Sequence, residues 1–156
     1  MSGIINSAGS KSGVIGTTEL DYEEGTWTVA DPSTLDAGSI TLITGTGTQG
    51  GNTGYYTKIG NTVYINCPLK VNEVSGGPSG NLQFDLPFTA TNQYHSISVF
   101  SHSATGSPHG VQGRINFNLA SGHIAEFTSG GTQADFGQHM QAGTVVDITG
   151  SYRTEA

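Results

Sequence analysis

The chain has 156 residues, twelve acids against five bases for a formal net charge of −7, and 24 glycines. Its length is enough for one domain with a real core. Charged residues make up 11% of it, against about a quarter in an average globular chain, which together with the glycine content describes a turn-rich β protein. The bases Lys11, Lys58, Lys70, Arg114 and Arg153 stand singly, which argues against a nucleic-acid backbone or an anionic membrane as partner, because both require clustered positive charge.

In chain order, the first stretch is SGIINSAGSKSGVIG at 2–16, in which the pair Ile4-Ile5 returns ten residues on as Val14-Ile15. Two small apolar pairs among serine and glycine cannot offset a backbone entropy cost of roughly 1–2 kcal/mol per residue. Such a segment is expected to take its order from something else, or to remain a disordered tail. Neither a secretory signal nor a run long enough to span a bilayer is expected in this chain, whose synthesis fits a reducing cytoplasm. An acidic connector follows, with Glu19, Asp21, Glu23 and Glu24. It is expected to be a hinge or an extended lead-in.

From Thr26 onward apolar and polar residues alternate in short runs separated by Gly, Asn, Pro and Ser. That pattern predicts strands at 25–30, 38–44, 54–59, 61–72, 80–86, 94–102, 110–120, 123–128 and 143–152. Gly60-Asn61 between two such runs predicts a tight hairpin. Pro68 removes a ladder donor and predicts a bulge or an edge at that point. The inward faces are expected from Val63, Ile65, Cys67, Leu69 and Val71, from Leu82, Phe84 and Leu86, from Ile97 and Val99, from Ile115, Phe117 and Leu119, and from Val146, Ile148 and Tyr152. A single cysteine inside such a run is a small buried side chain. The expected architecture is all-β, a jelly-roll-like β-sandwich over 25–156 behind an extended N-terminal segment over 1–24. The outward faces carry Thr, Ser, Asn, Gln and His instead of the Lys and Glu that normally guard sheets, so a homo-oligomer that covers them is expected.

The stretches SGIINSAGSKSGVIGTTELDYEEGTWT at 2–28, GYYTKIGNTVYI at 54–65 and LPFTA at 86–90 resemble bacteriophage virion proteins, in particular small fibre, tail-fibre and decoration proteins. The similarity lapses from about residue 91. It implies a homotrimeric knob on the virion, assembled in the host cytoplasm, with residues 1–20 docking onto other virion proteins through Ile4, Ile5, Val14 and Ile15. The knob would face a host surface glycan or protein. A capsid decoration or head-fibre protein is the neighbouring reading, and a free carbohydrate-binding module is the alternative from a different class.

Chemistry leaves little trace. The acids cluster ahead of the predicted fold or lie dispersed, which does not form the facing carboxylate pair of a glycosidase. No serine sits in a nucleophile elbow. His95, His102, His109, His123 and His139 match no zinc spacing. On a three-fold axis His102 would become three converging imidazoles, although ordinary hydrogen bonding is its plainer role, and neither metal nor cofactor is expected. Sugar binding needs only a surface aromatic with amide or hydroxyl partners. Tyr94, His102, His109 and Phe136 are the candidate receptor-facing residues, each aromatic being more often core than platform.

Overall fold

A computed structural model describes residues 21–32, 35–104, 110–127 and 133–155. Ten strands follow in order: β1 (Tyr22–Thr28), β2 (Ala37–Leu42), β3 (Thr53–Ile59), β4 (Thr62–Ser79), β5 (Leu82–Asp85), β6 (His95–His102), β7 (Val111–Ile115), β8 (Ser121–Phe127), β9 (Gln133–Ala134) and β10 (Val145–Arg153). A short 3₁₀ turn, Phe136–His139, lies between the last two. Among the described residues no helix is long and apolar enough to cross a membrane.

The strands make one antiparallel sheet in the order β1-β3-β4-β10-β6-β7-β8-β5, with β2 also on β4 and β9 on β8. The β3–β4 hairpin turns as expected, with Ile59 opposite Thr62 and Gly60 at φ 58°. Of the two turn residues only Gly60 needs a positive φ, the requirement of a turn with glycine first. β1 starts at Tyr22, so Tyr22, Glu23 and Glu24 of the acidic lead-in already pair with β3.

Pro68 falls where one partner of β4 gives way to another. The β3 ladder ends at Tyr55 opposite Asn66, and beyond it Gly51 N donates to Pro68 O at 2.9 Å. Lys70 N then donates to Gly51 O, while Lys70 O accepts from Ile43 N, both at 2.9 Å. The missing proline donor therefore faces a loop crossing, and β3 and β2 line the same side of β4 in succession.

The two ends of the strand order are tied to each other. Trp27 Nε1 of β1 donates to Asp85 O of β5 at 2.9 Å, and Ala30 N donates to Asp85 Oδ2 at 3.2 Å. Gly54 makes room for this indole, since a Cβ there would stand 2.4 Å from the ring. The sheet is thereby nearly closed on itself, which removes most of its bare edge.

Inside lie Val63, Ile65, Cys67, Leu69 and Val71 of β4, Leu82 and Phe84 of β5, Leu86, Ile97, Ile115, Ile124, Val146, Ile148 and Tyr152. The alternation of each strand puts these on one side, as expected. Burial pushes the Cys67 thiol up to about 12, which leaves it an inert core side chain. The Tyr152 hydroxyl, raised by the same burial, donates to Phe88 O at 3.0 Å and accepts from Phe88 N at 3.2 Å.

Phe117 and Leu119 correct the expected core. β7 ends at Ile115, Asn116 N donates to Ser121 O at 3.1 Å, and Asn118 takes φ 54°. The chain turns over 116–120, and Phe117 and Leu119 are left 42% and 52% exposed.

Candidate functional site

The outward side of β1, β3, β4, β10 and β6 is the most distinctive surface of the described residues. Strand register sets it out in cross-strand rows. One row runs Glu24, Thr57, Tyr64, Ser151, and the next runs Thr26, Tyr55, Asn66, Thr149, Ser98. A third runs Pro68, Asp147, Phe100. Tyr55, Tyr64 and Phe100 are exposed, Phe100 to 65%, and Tyr22 and Ile59 stand opposite each other at one margin. In these three rows Glu24 and Asp147 are the only charges. The rings and hydroxyls of these rows form a surface that other surfaces can cover at little desolvation cost.

The lead-in acids are committed locally. Asp21 pairs with Lys58, the Tyr56 hydroxyl donates to Glu23, and the Tyr22 hydroxyl donates to Glu24. The two acceptor carboxylates raise both tyrosine hydroxyls above their ordinary range.

Of the expected receptor-facing residues, Tyr94 is 55% exposed just ahead of β6. The Arg114 guanidinium carbon lies 4.5 Å from its ring centroid, and Phe117 meets it edge to face at 4.9 Å. His102 sits half-buried at the far end of β6, with Nδ1 3.4 Å from Ser103 Oγ and its ring 6.3 Å from that of Phe100. The structure does not bring Tyr94 and His102 together, because Tyr94 precedes the first residue of β6 and His102 is its last. His109 and the anchor residues Ile4, Ile5, Val14 and Ile15 lie outside the described residues.

Phe136 is a correction: it is fully buried and cannot face a receptor. The 3₁₀ turn tucks its ring into the core, and Gly137 N fastens that turn to Gly80 O at 2.9 Å. A lone aromatic after a glycine-rich stretch has no periodic partners, so alternation carried no information about its side.

Two features escaped the sequence. Arg114 and Phe117 gather around Tyr94, which no linear spacing announces. Glu126 is buried on β8 and pairs with His139 of the 3₁₀ turn at 2.6 Å, a contact made across unrelated elements. Among the described residues no three His, Cys, Asp or Glu side chains gather where they could hold a metal ion.

No family model matches the chain, and no curated protein matches it. Among solved structures it is similar to the Dettilon tailspike protein, with a TM-score of 0.66 and 23% identity over 85% of this chain. The match covers 24% of the tailspike chain, so this protein spans about a quarter of that length. What this chain shares with that segment of a tailspike is the all-β fold.

Proposed function

We propose that this chain is a structural protein of a phage tail, a short homotrimeric fibre whose curled, jelly-roll-like β body faces the host surface. The observation that carries the reading is the fold shared with part of a tailspike over 85% of the chain. The resemblance of 2–28, 54–65 and 86–90 to phage virion proteins points the same way. In this reading residues 1–20 dock on other virion proteins through Ile4, Ile5, Val14 and Ile15. Each would contribute roughly 1.5–3 kcal/mol if fully buried there, and three copies would multiply the attachment. The aromatic rows of β3, β4 and β6 are what neighbouring subunits would cover.

The body acts by binding and not by catalysis. That view is supported by the engagement of Asp21, Glu23 and Glu24 with Lys58, Tyr56 and Tyr22 on the outer strands, instead of across a cleft. Particles assembled with a chain lacking residues 1–18 test the proposal. The expected result is loss of incorporation while the purified body still sediments as a trimer. Normal incorporation, or a monomeric body, would overturn it.

A further inference from the structure

The chain has two arginines: the fold lays Arg114 over the Tyr94 ring and sets Arg153 in a groove lined by Gln93, the residue before Tyr94. Arg114 comes from β7 and lies over the Tyr94 ring. Arg153 ends β10 and lines an open groove of about 530 Å³ together with Asn61, Thr91, Asn92, Gln93 and Glu155. Gln93, one of the lining residues, immediately precedes Tyr94 in the chain. In a chain of net charge −7, Arg114 at the Tyr94 ring and Arg153 in the groove stand, among the described lining residues, against one carboxylate, that of Glu155.

The groove wall is held in place before any ligand arrives. Thr91 N donates to Arg153 O at 2.8 Å, Gln93 N to Thr91 O at 2.7 Å, and Asn118 N to Thr91 O at 3.2 Å. Thr154 N donates to Asn61 O at 2.9 Å, joining the groove floor to the β3–β4 hairpin. The amides of Asn61, Asn92 and Gln93 are thus presented from a braced backbone, which lowers the ordering cost of binding.

From this placement we infer that the Tyr94 corner is a binding subsite for an acidic saccharide, in which the ring packs on the apolar side of a sugar. The groove amides and Glu155 hydrogen-bond its hydroxyls, and the arginines pair with its acidic group. The groove is open and polar, which suits a hydroxylated chain lying along a surface better than an apolar small molecule. Arginine's planar fork matches a carboxylate in two-point geometry, and the flat ring supplies area at low entropy cost. The inference rests on the host-facing reading above and gives that reading a ligand class and a location.

Titration calorimetry of the full chain with oligogalacturonate, its uncharged methyl ester and inorganic phosphate tests it. Saturable binding of oligogalacturonate is expected, weakened about tenfold for the methyl ester and in Tyr94→Ala, and by about tenfold or more in Arg114→Gln/Arg153→Gln, which removes both arginines. All three side chains are exposed, and unchanged melting would show that the variants fold. No saturable uronate binding, equal affinity for the ester, or unaltered affinity in the variants would overturn the site. Phosphate binding as tight as the uronate would reduce it to a bare anion site and overturn the saccharide assignment. Adsorption of particles to host cells separates the two levels. Wild-type adsorption undiminished in the Tyr94→Ala particle removes the subsite and leaves the host-facing reading standing. Uronate binding by a chain whose removal leaves adsorption unchanged keeps the subsite and removes that reading.

Discussion

The two faces of β4 differ sharply from one another. Val63, Ile65, Cys67 and Leu69 point inward and are at most 5% exposed, whereas Tyr64 between them is 51% exposed and Asn66 stands open beside it. One backbone, with its ladders to β3 and β10, serves both. The inward face is held by transfer out of water, about 1.5–3 kcal/mol for each large side chain. The outward face contributes little to the fold of a single chain. Its aromatic content gains value only when a second surface removes it from water.

The strongest way to test that contrast is to empty the inner face. Leu69→Ala should cost about 2–5 kcal/mol in denaturant unfolding, because the nearly closed sheet leaves few ways to collapse around the cavity. A loss below 1 kcal/mol, on the order of an exposed site, would show that β4 is not the centre of the core.

Next in size is the tie between the sheet's ends. Gly54→Ala places a methyl group against the Trp27 ring and should destabilise by about 1–3 kcal/mol. Trp27→Phe loses both the bond to Asp85 O and the outer ring that lies against Gly54, for about 1–3 kcal/mol. Chemical melts of both variants measure this. If neither moves the midpoint, the end-to-end contact does not hold the curl.

On the outer face, Tyr55→Ser/Tyr64→Ser should leave the unfolding of the isolated body within about 0.5 kcal/mol per site. The same variant should sediment as a smaller species than wild type. An unchanged sedimentation profile would remove this face as the contact between subunits.

The smallest effect expected is a pH slope. His95 and His123 titrate below their ordinary 6.5, chiefly because burial disfavours the charged ring and secondarily because Arg153 and Arg114, respectively, repel it. The unfolded chain then binds protons that the folded chain refuses, so stability is full above pH 6.5 and declines as pH falls through the window below it. His95 Nε2 is buried without a hydrogen-bond partner, so a proton added there has no acceptor in the fold. Stability measured from pH 7.5 down to 5 should fall less steeply in His95→Gln, and an identical slope would assign the acid sensitivity elsewhere.

Much of the architecture was legible because strand alternation is a local property. Val63 to Val71 and Leu82 to Leu86 declare their buried side by period alone, and Gly60 marks its turn because few other residues accept that backbone angle. The period misled at Phe117 and Leu119, where Asn118 turns the chain and the apparent alternation continues into a loop. Phe136 lacked any period to follow.

The candidate sites divide in the same way. Tyr94 was open to selection as an exposed aromatic, but Arg114 reaches it from β7, and Arg153 reaches the adjoining groove from the end of β10. Sequence by itself determined the all-β class, the hairpin and most of the inward residues, since each depends on neighbours one to ten positions away. Tertiary structure alone decided that β1 meets β5 through Trp27, that Glu126 finds His139, and that Arg114 lies over the Tyr94 ring. These are contacts between residues tens of positions apart, set by strand order and the curl of the sheet, and no local periodicity encodes either.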